Sequence, residues 1–106
     1  MNIVVVGASG YAGRHIVEQA HRRGQRVRAV VRDKARAESA GAWGASSLTN
    51  MVDEWAVGDV TDRSWAAGVC EGADAVISAL GVTRQKADPW DIDYRANLNI
   101  LESARP

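Results

Sequence analysis

Glycine occupies every third position directly after a run of β-branched residues near the start of the sequence. The glycines are Gly7, Gly10 and Gly13, and the run covers residues 3–6. Such glycines permit a tight turn, close approach of the main chain to a pyrophosphate, and tight packing of a helix on a strand. The helix that follows would offer unpaired amide hydrogens and a partial positive charge to phosphates. The spacing predicts a phosphate-binding loop, and the alternative is a glycine-rich turn without a ligand. The candidate ligand residues are Gly7, Ser9, Gly10, Tyr11, Ala12 and Gly13.

A basic and an acidic residue follow the second β-branched run, residues 27–31. In dinucleotide-binding sheets an acid at this place binds the ribose hydroxyls of NAD, whereas an arginine there pairs with the extra phosphate of NADP. Arg32 comes first and predicts NADP, because a charge-assisted contact of about 1.5 to 3 kcal/mol is enough to set the preference. Asp33 follows directly and keeps NAD open as the alternative. Arg14 is interpreted either as a second cation for the phosphate or as a solvated helix residue.

Strands that alternate with helices are needed to position these residues. Strand-like runs cover residues 3–6, 27–31, 55–57 and 74–80, and helix-like stretches cover residues 12–23, 34–40, 63–70 and 91–104. Helices between strands imply right-handed crossovers and a parallel sheet with helices on both faces. The pattern predicts the α/β class, with a Rossmann-like, doubly wound sheet in the strand order 3-2-1-4. About four strands make half of a complete sheet of this kind, so we expect one NAD(P)-binding domain over residues 1–106 that is incomplete at its C-terminal end.

Composition and charge exclude several classes of function. The 106 residues are 46% apolar and 25% charged, the balance of an ordinary globular domain. A formal net charge of zero makes nucleic acid an improbable partner. No apolar run approaches the roughly 18 residues of a membrane helix, so we expect no membrane span and a cytoplasmic location. The single cysteine, Cys70, excludes an internal disulfide and a zinc site of the Cys-x-x-Cys kind.

Five segments resemble the extended and atypical short-chain dehydrogenase/reductases, in particular the N-terminal half of their NmrA-like, NAD(P)H-binding branch. The segments are residues 5–13, 27–33, 57–62, 73–81 and 93–104, in the order that the family has them. The glycine loop is also similar to that of semialdehyde dehydrogenases such as the acetylglutamyl-phosphate reductases. The segment Gly-Asp-Val-Thr-Asp at residues 58–62 favours the first family, because it resembles the adenine-binding turn of the short-chain group.

The resemblance adds five candidate cofactor-binding residues. It implies that Asp59 and Val60 flank the adenine, with the carboxylate accepting the exocyclic amine and the main chain or the side chain of Val60 packing on the ring. The alternative role for Asp59 is a helix cap. Ala79, Leu80 and Gly81 lie at the carboxyl end of the fourth strand, where open α/β sheets bind ligands, and Gly81 would leave room for ribose and pyrophosphate.

No catalytic residue is assigned. Short-chain reductases usually carry a Tyr-x-x-x-Lys pair whose phenol acts as general acid or base. Here His15 stands four places after Tyr11, and Leu98 four places after Tyr94. We therefore expect hydride transfer to a small substrate of unknown identity only when a substrate half accompanies this chain, and no reductase activity from the chain alone. The alternatives are a non-catalytic NADP(H)-binding sensor or interaction protein, and the N-terminal domain of a semialdehyde-dehydrogenase-like enzyme.

The sequence also bears on whether the chain binds a metal and whether it self-associates. His15 and His21 are six residues apart, a spacing that does not bring them to one face of a helix, so no metal site is predicted. The fourth strand is almost wholly apolar and would lie at an open edge of the sheet. We expect the isolated chain to self-associate through that edge.

Overall fold

A four-stranded parallel sheet organises the protein in the computed structural model, which describes residues 1–38, 48–80 and 96–104. The strands are β1 (Asn2–Val6), β2 (Arg26–Val31), β3 (Glu54–Val57) and β4 (Ala75–Ser78). The helices are α1 (Tyr11–Arg22), α2 (Lys34–Glu38), α3 (Arg63–Ala66) and α4 (Asn97–Ala104). The strand order is β3-β2-β1-β4, and every neighbouring pair is parallel. The predicted Rossmann-like α/β fold and its strand order are therefore confirmed.

The central strand β1 is covered on both faces, which explains its unbroken β-branched sequence. Ile3 and Val5 pack into a core that includes Val17 of α1. Val4 and Val6 pack on the other face, in a core that includes Ile100 of α4. Because successive side chains of a strand point to opposite faces, an alternating polar pattern would leave one of these cores unfilled.

Helix α1 ends at a glycine in the left-handed conformation. Gly24 has a φ of +74°, the left-handed conformation that glycine adopts without steric cost. Its amide donates to the carbonyl of His21 at 3.0 Å, and the Gln25 amide donates to the carbonyl of Ala20 at 3.0 Å. This pair of bonds is the Schellman motif, which satisfies carbonyls that the helix end would otherwise leave unpaired.

Helix α3 is shorter than the predicted stretch of residues 63–70, and that prediction is wrong in length. The helix covers Arg63–Ala66. Beyond it the chain makes tight turns, in which the amides of Val69 and Glu71 donate to carbonyls three residues earlier. Gly68 has low helix propensity, and Gly72 has a φ of +77°, so the segment turns towards β4 instead of extending the helix.

Some predicted bounds lie outside the described residues. The predicted fourth helix begins at residue 91, whereas within the described residues the helix α4 begins at Asn97. The last two residues of the predicted second helix, 39 and 40, are outside as well. Within the described ranges no helix is long and apolar enough to cross a membrane.

Candidate functional site

The loop between β1 and α1 lies against the end of β4. Gly7 has a φ of +76°, and a Cβ built on it would lie 3.1 Å from the carbonyl carbon of Ala79 and 3.2 Å from the amide nitrogen of Leu80. The Ala79 amide donates to the carbonyl of Val6 at 2.8 Å, which continues the pairing of the two strands. The structure thus brings the predicted glycine loop and two of the three predicted residues after β4 to one edge of the sheet. The third, Gly81, lies outside the described residues.

The other two glycines of the loop differ in what their surroundings demand. A Cβ on Gly13 would lie 2.1 Å from the Gly7 carbonyl oxygen and 2.8 Å from the Cα of Ala8, so α1 can approach the loop only with glycine there. A Cβ on Gly10 would meet a single atom, the Gly7 carbonyl oxygen, at an ordinary contact distance of 3.5 Å. The fold therefore requires glycine at position 13 and tolerates a larger residue at position 10.

The start of α1 is open to an anion. Gly10 is the N-cap residue in an extended conformation, and no side-chain hydrogen bond caps this helix end. The first helical residues, Tyr11, Ala12 and Gly13, carry amides that have no acceptor within the helix. No acidic residue occupies the first turn. The partial positive charge of the helix end is consequently available to phosphate oxygens.

Two side chains flank this helix end. Tyr11 is exposed, and its ring contacts the ring of His15 edge-on with 4.7 Å between the centroids. Arg14 is 4% exposed, and its Nε donates to the carbonyl of Ser9 at 2.8 Å. The interpretation of Arg14 as a solvated residue is therefore wrong, because the side chain lies under the loop.

Arg32 follows β2 at the same edge of the sheet. The amide of Gly58 donates to the carbonyl of Val31 at 3.0 Å, so the turn after β3 begins beside Arg32. The side chains of Arg32 and Asp33 are both exposed. The Arg32 guanidinium contributes to lowering the pKa of Asp59, which places its positive charge within electrostatic reach of that carboxylate.

Asp59 is held in its own turn and does not cap α3. Its Oδ1 accepts hydrogen bonds from the hydroxyl of Thr61 at 2.7 Å and from the amide of Thr61 at 2.9 Å. These bonds are the main reason that the pKa of Asp59 lies below its ordinary value, and burial opposes them weakly. The cap of α3 is Asp62, which accepts from the amides of Ser64 and Trp65. Asp59 is thus an exposed, ionised carboxylate at neutral pH.

Val60 is less available than the sequence predicts. Its side chain is 5% exposed and packs in the core that includes Val4 and Ile100. Its carbonyl accepts from the Nδ2 of Asn99 at 3.0 Å. Contact of the Val60 side chain with an adenine ring would therefore require this core to repack. An adenine ring at this place would instead meet the main chain of Val60.

Two residues that support this turn were missed at the level of sequence. Asn99 reaches the turn from α4, which is 39 residues away in the chain, so no local pattern signals the contact. Gly58 admits the indole of Trp65, because a Cβ there would lie 2.1 Å from the ring. The sequence shows a glycine next to an acidic residue at position 58, but it gives no sign of the contact between Gly58 and the Trp65 ring.

The family comparison gives the class of cofactor that the chain binds. A family model described as NAD(P)H-binding matches residues 7–105, which include the glycine loop, Arg32 and the turn after β3. The chain belongs to this NAD(P)H-binding family. Its cofactor class is therefore a nicotinamide dinucleotide.

Known relatives of this NAD(P)H-binding chain include plant reductases. The chain is 34% identical to a chloroplastic divinyl chlorophyllide a 8-vinyl-reductase of Zea mays, over 97% of this chain and 27% of the relative. It is 39% identical to an isoflavone reductase homolog of the same plant, over 74% of this chain and 26% of the relative. A solved structure of a Lactobacillus casei protein is 30% identical and superposes with a TM-score of 0.75, over 99% of this chain and 44% of that one. The chain thus spans about a quarter of the length of the curated relatives it matches.

Proposed function

We propose that this chain is the cofactor-binding part of an NmrA-like, atypical short-chain dehydrogenase/reductase and that it prefers NADP(H) to NAD(H). The observation that carries the proposal is the uncapped start of α1 at Gly10, a glycine that the fold itself does not require. A residue that packing leaves free and that opens the main chain at a helix start fits close approach of a pyrophosphate. The contacting residues of the proposal are Gly7, Ser9, Gly10, Tyr11, Ala12, Gly13, Arg32, Asp59, Val60, Ala79, Leu80 and Gly81.

The preference for NADP(H) rests on the charge at the end of β2. Arg32 is exposed there and lies within electrostatic reach of Asp59, on the side of the edge proposed for adenosine. A guanidinium pairs well with a phosphate through two parallel hydrogen bonds, and it cannot lose its charge. Asp33 is the competing group, since a carboxylate at this place would favour the ribose hydroxyls of NAD.

Oxidoreductase chemistry is proposed for a protein in which a substrate pocket accompanies these residues. One relative is called a vinyl-reductase and another an isoflavone reductase homolog, and these names support hydride transfer to an organic substrate over a purely structural role. The bound dinucleotide would supply the hydride. The residues of this chain would bind and orient its adenosine and pyrophosphate.

Calorimetric titration of the chain with NADPH and with NADH tests the cofactor preference. We expect NADPH to bind roughly ten- to a hundredfold more tightly, which is the effect of one charge-assisted contact. Arg32→Ala should remove most of that difference by weakening NADPH and leaving NADH almost unchanged. Arg26→Ala is the matched control, because Arg26 is exposed at the opposite end of the same strand.

Two results would contradict the proposal in different ways. Equal dissociation constants for NADPH and NADH in the unsubstituted chain would remove the NADP preference and leave the dinucleotide site standing. Failure of both cofactors to bind a folded chain would remove the proposed function as a whole.

A further inference from the structure

Arg14 is the one buried charged side chain among the residues that the structure describes. It follows Gly13 directly, in the first turns of α1, and 4% of its surface is exposed. Enclosing a guanidinium costs free energy unless its hydrogen bonds are satisfied in place. The atoms that Arg14 contacts are therefore informative about why an arginine stands there.

The side chain of Arg14 holds one carbonyl oxygen of the glycine loop, and its main chain makes the regular helical bond to the next. Its side-chain Nε donates to the carbonyl of Ser9 at 2.8 Å, and its main-chain amide donates to the carbonyl of Gly10 at 2.9 Å. The amide of Gly10 donates in turn to the carbonyl of Gly7 at 3.2 Å. The peptide group between Ser9 and Gly10 is thus fixed at both ends, by Arg14 at its oxygen and by Gly7 at its hydrogen.

The orientation of this peptide group matters for an anion. A carbonyl oxygen carries a partial negative charge and would repel a phosphate oxygen that approached the loop, whereas the amides of the first helical turn attract it. Because the side chain of Arg14 is buried, the Ser9 oxygen that it holds is directed into the protein, away from the exposed face of the loop. A fixed loop also avoids an ordering cost when a ligand binds.

We propose that Arg14 is a positioning residue for the cofactor's pyrophosphate, which its side chain serves by holding the carbonyl oxygen of Ser9 away from the phosphates. This inference rests on the proposed function, because it needs a pyrophosphate at the glycine loop. It assigns to Arg14 no contact with the cofactor. The effect is specific to phosphates and absent for a ligand that lacks them.

ADP and adenosine provide the test, since they differ only in the diphosphate. Their dissociation constants are measured by NMR titration of the chain and of three variants: Arg14→Met removes the donor and the charge, Arg14→Lys restores both, and Arg22→Met is the control. Arg22 is an exposed arginine of the same helix, paired with Glu18. Thermal unfolding by circular dichroism shows that each variant is folded, and Arg14→Gln replaces Arg14→Met if the latter is not.

We expect Arg14→Met to weaken ADP binding about three- to tenfold, the usual cost of ordering a released group when a ligand binds, with adenosine unchanged within about twofold. Arg14→Lys should recover most of the ADP affinity, and Arg22→Met should alter neither ligand. Equal weakening of ADP and adenosine would overturn the inference by showing a general structural role. Unchanged ADP binding by a folded Arg14→Met variant would overturn it too, while leaving the proposed function intact. If the unsubstituted chain binds neither ADP nor NADPH, the proposed function fails and the inference fails with it.

Discussion

The glycines at positions 7, 10 and 13 serve three separate purposes, so substitutions can test each purpose separately. Gly7 turns the chain at a φ of +76°, and Gly13 lets α1 approach to a distance that no side chain permits. Gly10 is at a φ of −75°, where any residue is comfortable, and its surroundings leave room for a Cβ. Packing therefore does not require glycine at position 10, and the proposed contact with the pyrophosphate gives a reason for it.

Alanine at positions 10 and 13 should separate ligand binding from folding. Gly13→Ala drives a Cβ into main-chain atoms at 2.1 Å and should lower the free energy of unfolding by about 2 to 3 kcal/mol or more. Gly10→Ala should change it by less than about 1 kcal/mol, because reduced chain entropy and a poorer N-cap oppose each other. NADPH affinity should nevertheless fall at least about tenfold in Gly10→Ala, since the Cβ occupies the approach of the pyrophosphate. Urea unfolding and calorimetry check both, and unchanged NADPH affinity in Gly10→Ala would contradict the role assigned to this residue.

Asp59 should titrate below an ordinary aspartate because Thr61 holds its ionised form. The hydroxyl of Thr61 is the largest cause of the lowered pKa, the Thr61 amide is the next, and the charge of Arg32 contributes least. A carboxyl group whose pKa is lower in the folded than in the unfolded protein stabilises the fold at pH values above its ordinary pKa of 3.8. That stabilisation is lost as the pH falls through the lower folded pKa. Titration of the Asp59 carboxyl carbon by NMR should show a rise in pKa in Thr61→Val and a smaller rise in Arg32→Ala. A larger rise in Arg32→Ala would show that charge, and not hydrogen bonding, holds this group.

Residue identity was a good guide where the requirement was local. The left-handed Gly24 and the glycine loop could be predicted because each depends on the conformation of a few consecutive residues. The burial of Arg14 and of the Val60 side chain could not, because both depend on elements packed from elsewhere in the chain. The same holds for Asn99, whose bond to Val60 joins two distant segments.

At the scale of elements, Arg28 ties the turn after α3 to the sheet. Its Nη1 donates to the carbonyls of Val69 and Glu71, both at 2.8 Å, and its Nε donates to the carboxylate of Glu54 on β3. This segment is the one that the periodicity of the sequence predicts as helix. The turns beyond α3 leave carbonyl groups without partners in a helix. Arg28, a strand residue, supplies donors to two of these carbonyls.

The carbonyl bonds of Arg28 should matter more than its ion pair. Arg28→Met leaves the partly buried carbonyl of Val69 and the exposed carbonyl of Glu71 without their donor and should lower the free energy of unfolding by about 1 to 3 kcal/mol. Glu54→Gln should cost less than about 1 kcal/mol, because the Glu54 side chain is 47% exposed and solvent weakens the pair. Urea unfolding followed by circular dichroism measures both. Equal losses in the two variants would show that the ion pair dominates.

At the scale of the whole molecule, the alternation of strands and helices predicts the α/β class and narrows the possible topologies. Four β-branched or apolar runs separated by helix-length segments leave few arrangements once crossovers must be right-handed, and the observed order β3-β2-β1-β4 is one of them. The ends of the elements were less predictable, as α3 shows, because hydrogen bonds and caps set them. The cofactor class followed from the position of the glycine loop in this topology, which the family comparison supports.

The outer position of β4 within the described sheet leads us to expect self-association of the chain. Ile77 on this strand is 38% exposed, and an apolar edge offers unpaired main-chain groups to a second copy. Sedimentation velocity at tens of micromolar should show species larger than a monomer, and Ile77→Lys should shift the distribution towards monomer. Leu101→Lys is the control, since Leu101 is 62% exposed and belongs to α4 instead of the strand. A monomeric unsubstituted chain, or an effect of Leu101→Lys alone, would contradict association through this edge.

The most direct measurement for the central claim is a map of amide chemical shifts in the 15N-labelled chain during titration with NADPH. We expect the largest changes in chemical shift at the carboxyl ends of the strands, where the glycine loop, the ends of β2 and β4 and the turn after β3 meet. The amides concerned are those of Gly10, Tyr11, Ala12, Gly13, Arg32, Asp59, Val60, Ala79 and Leu80. The amides at the opposite edge should move little; they are those of Asn2, Arg26, Glu54 and Ala75. Saturable changes centred on the opposite edge, with the glycine loop unaffected, would contradict the claim that this loop binds the dinucleotide.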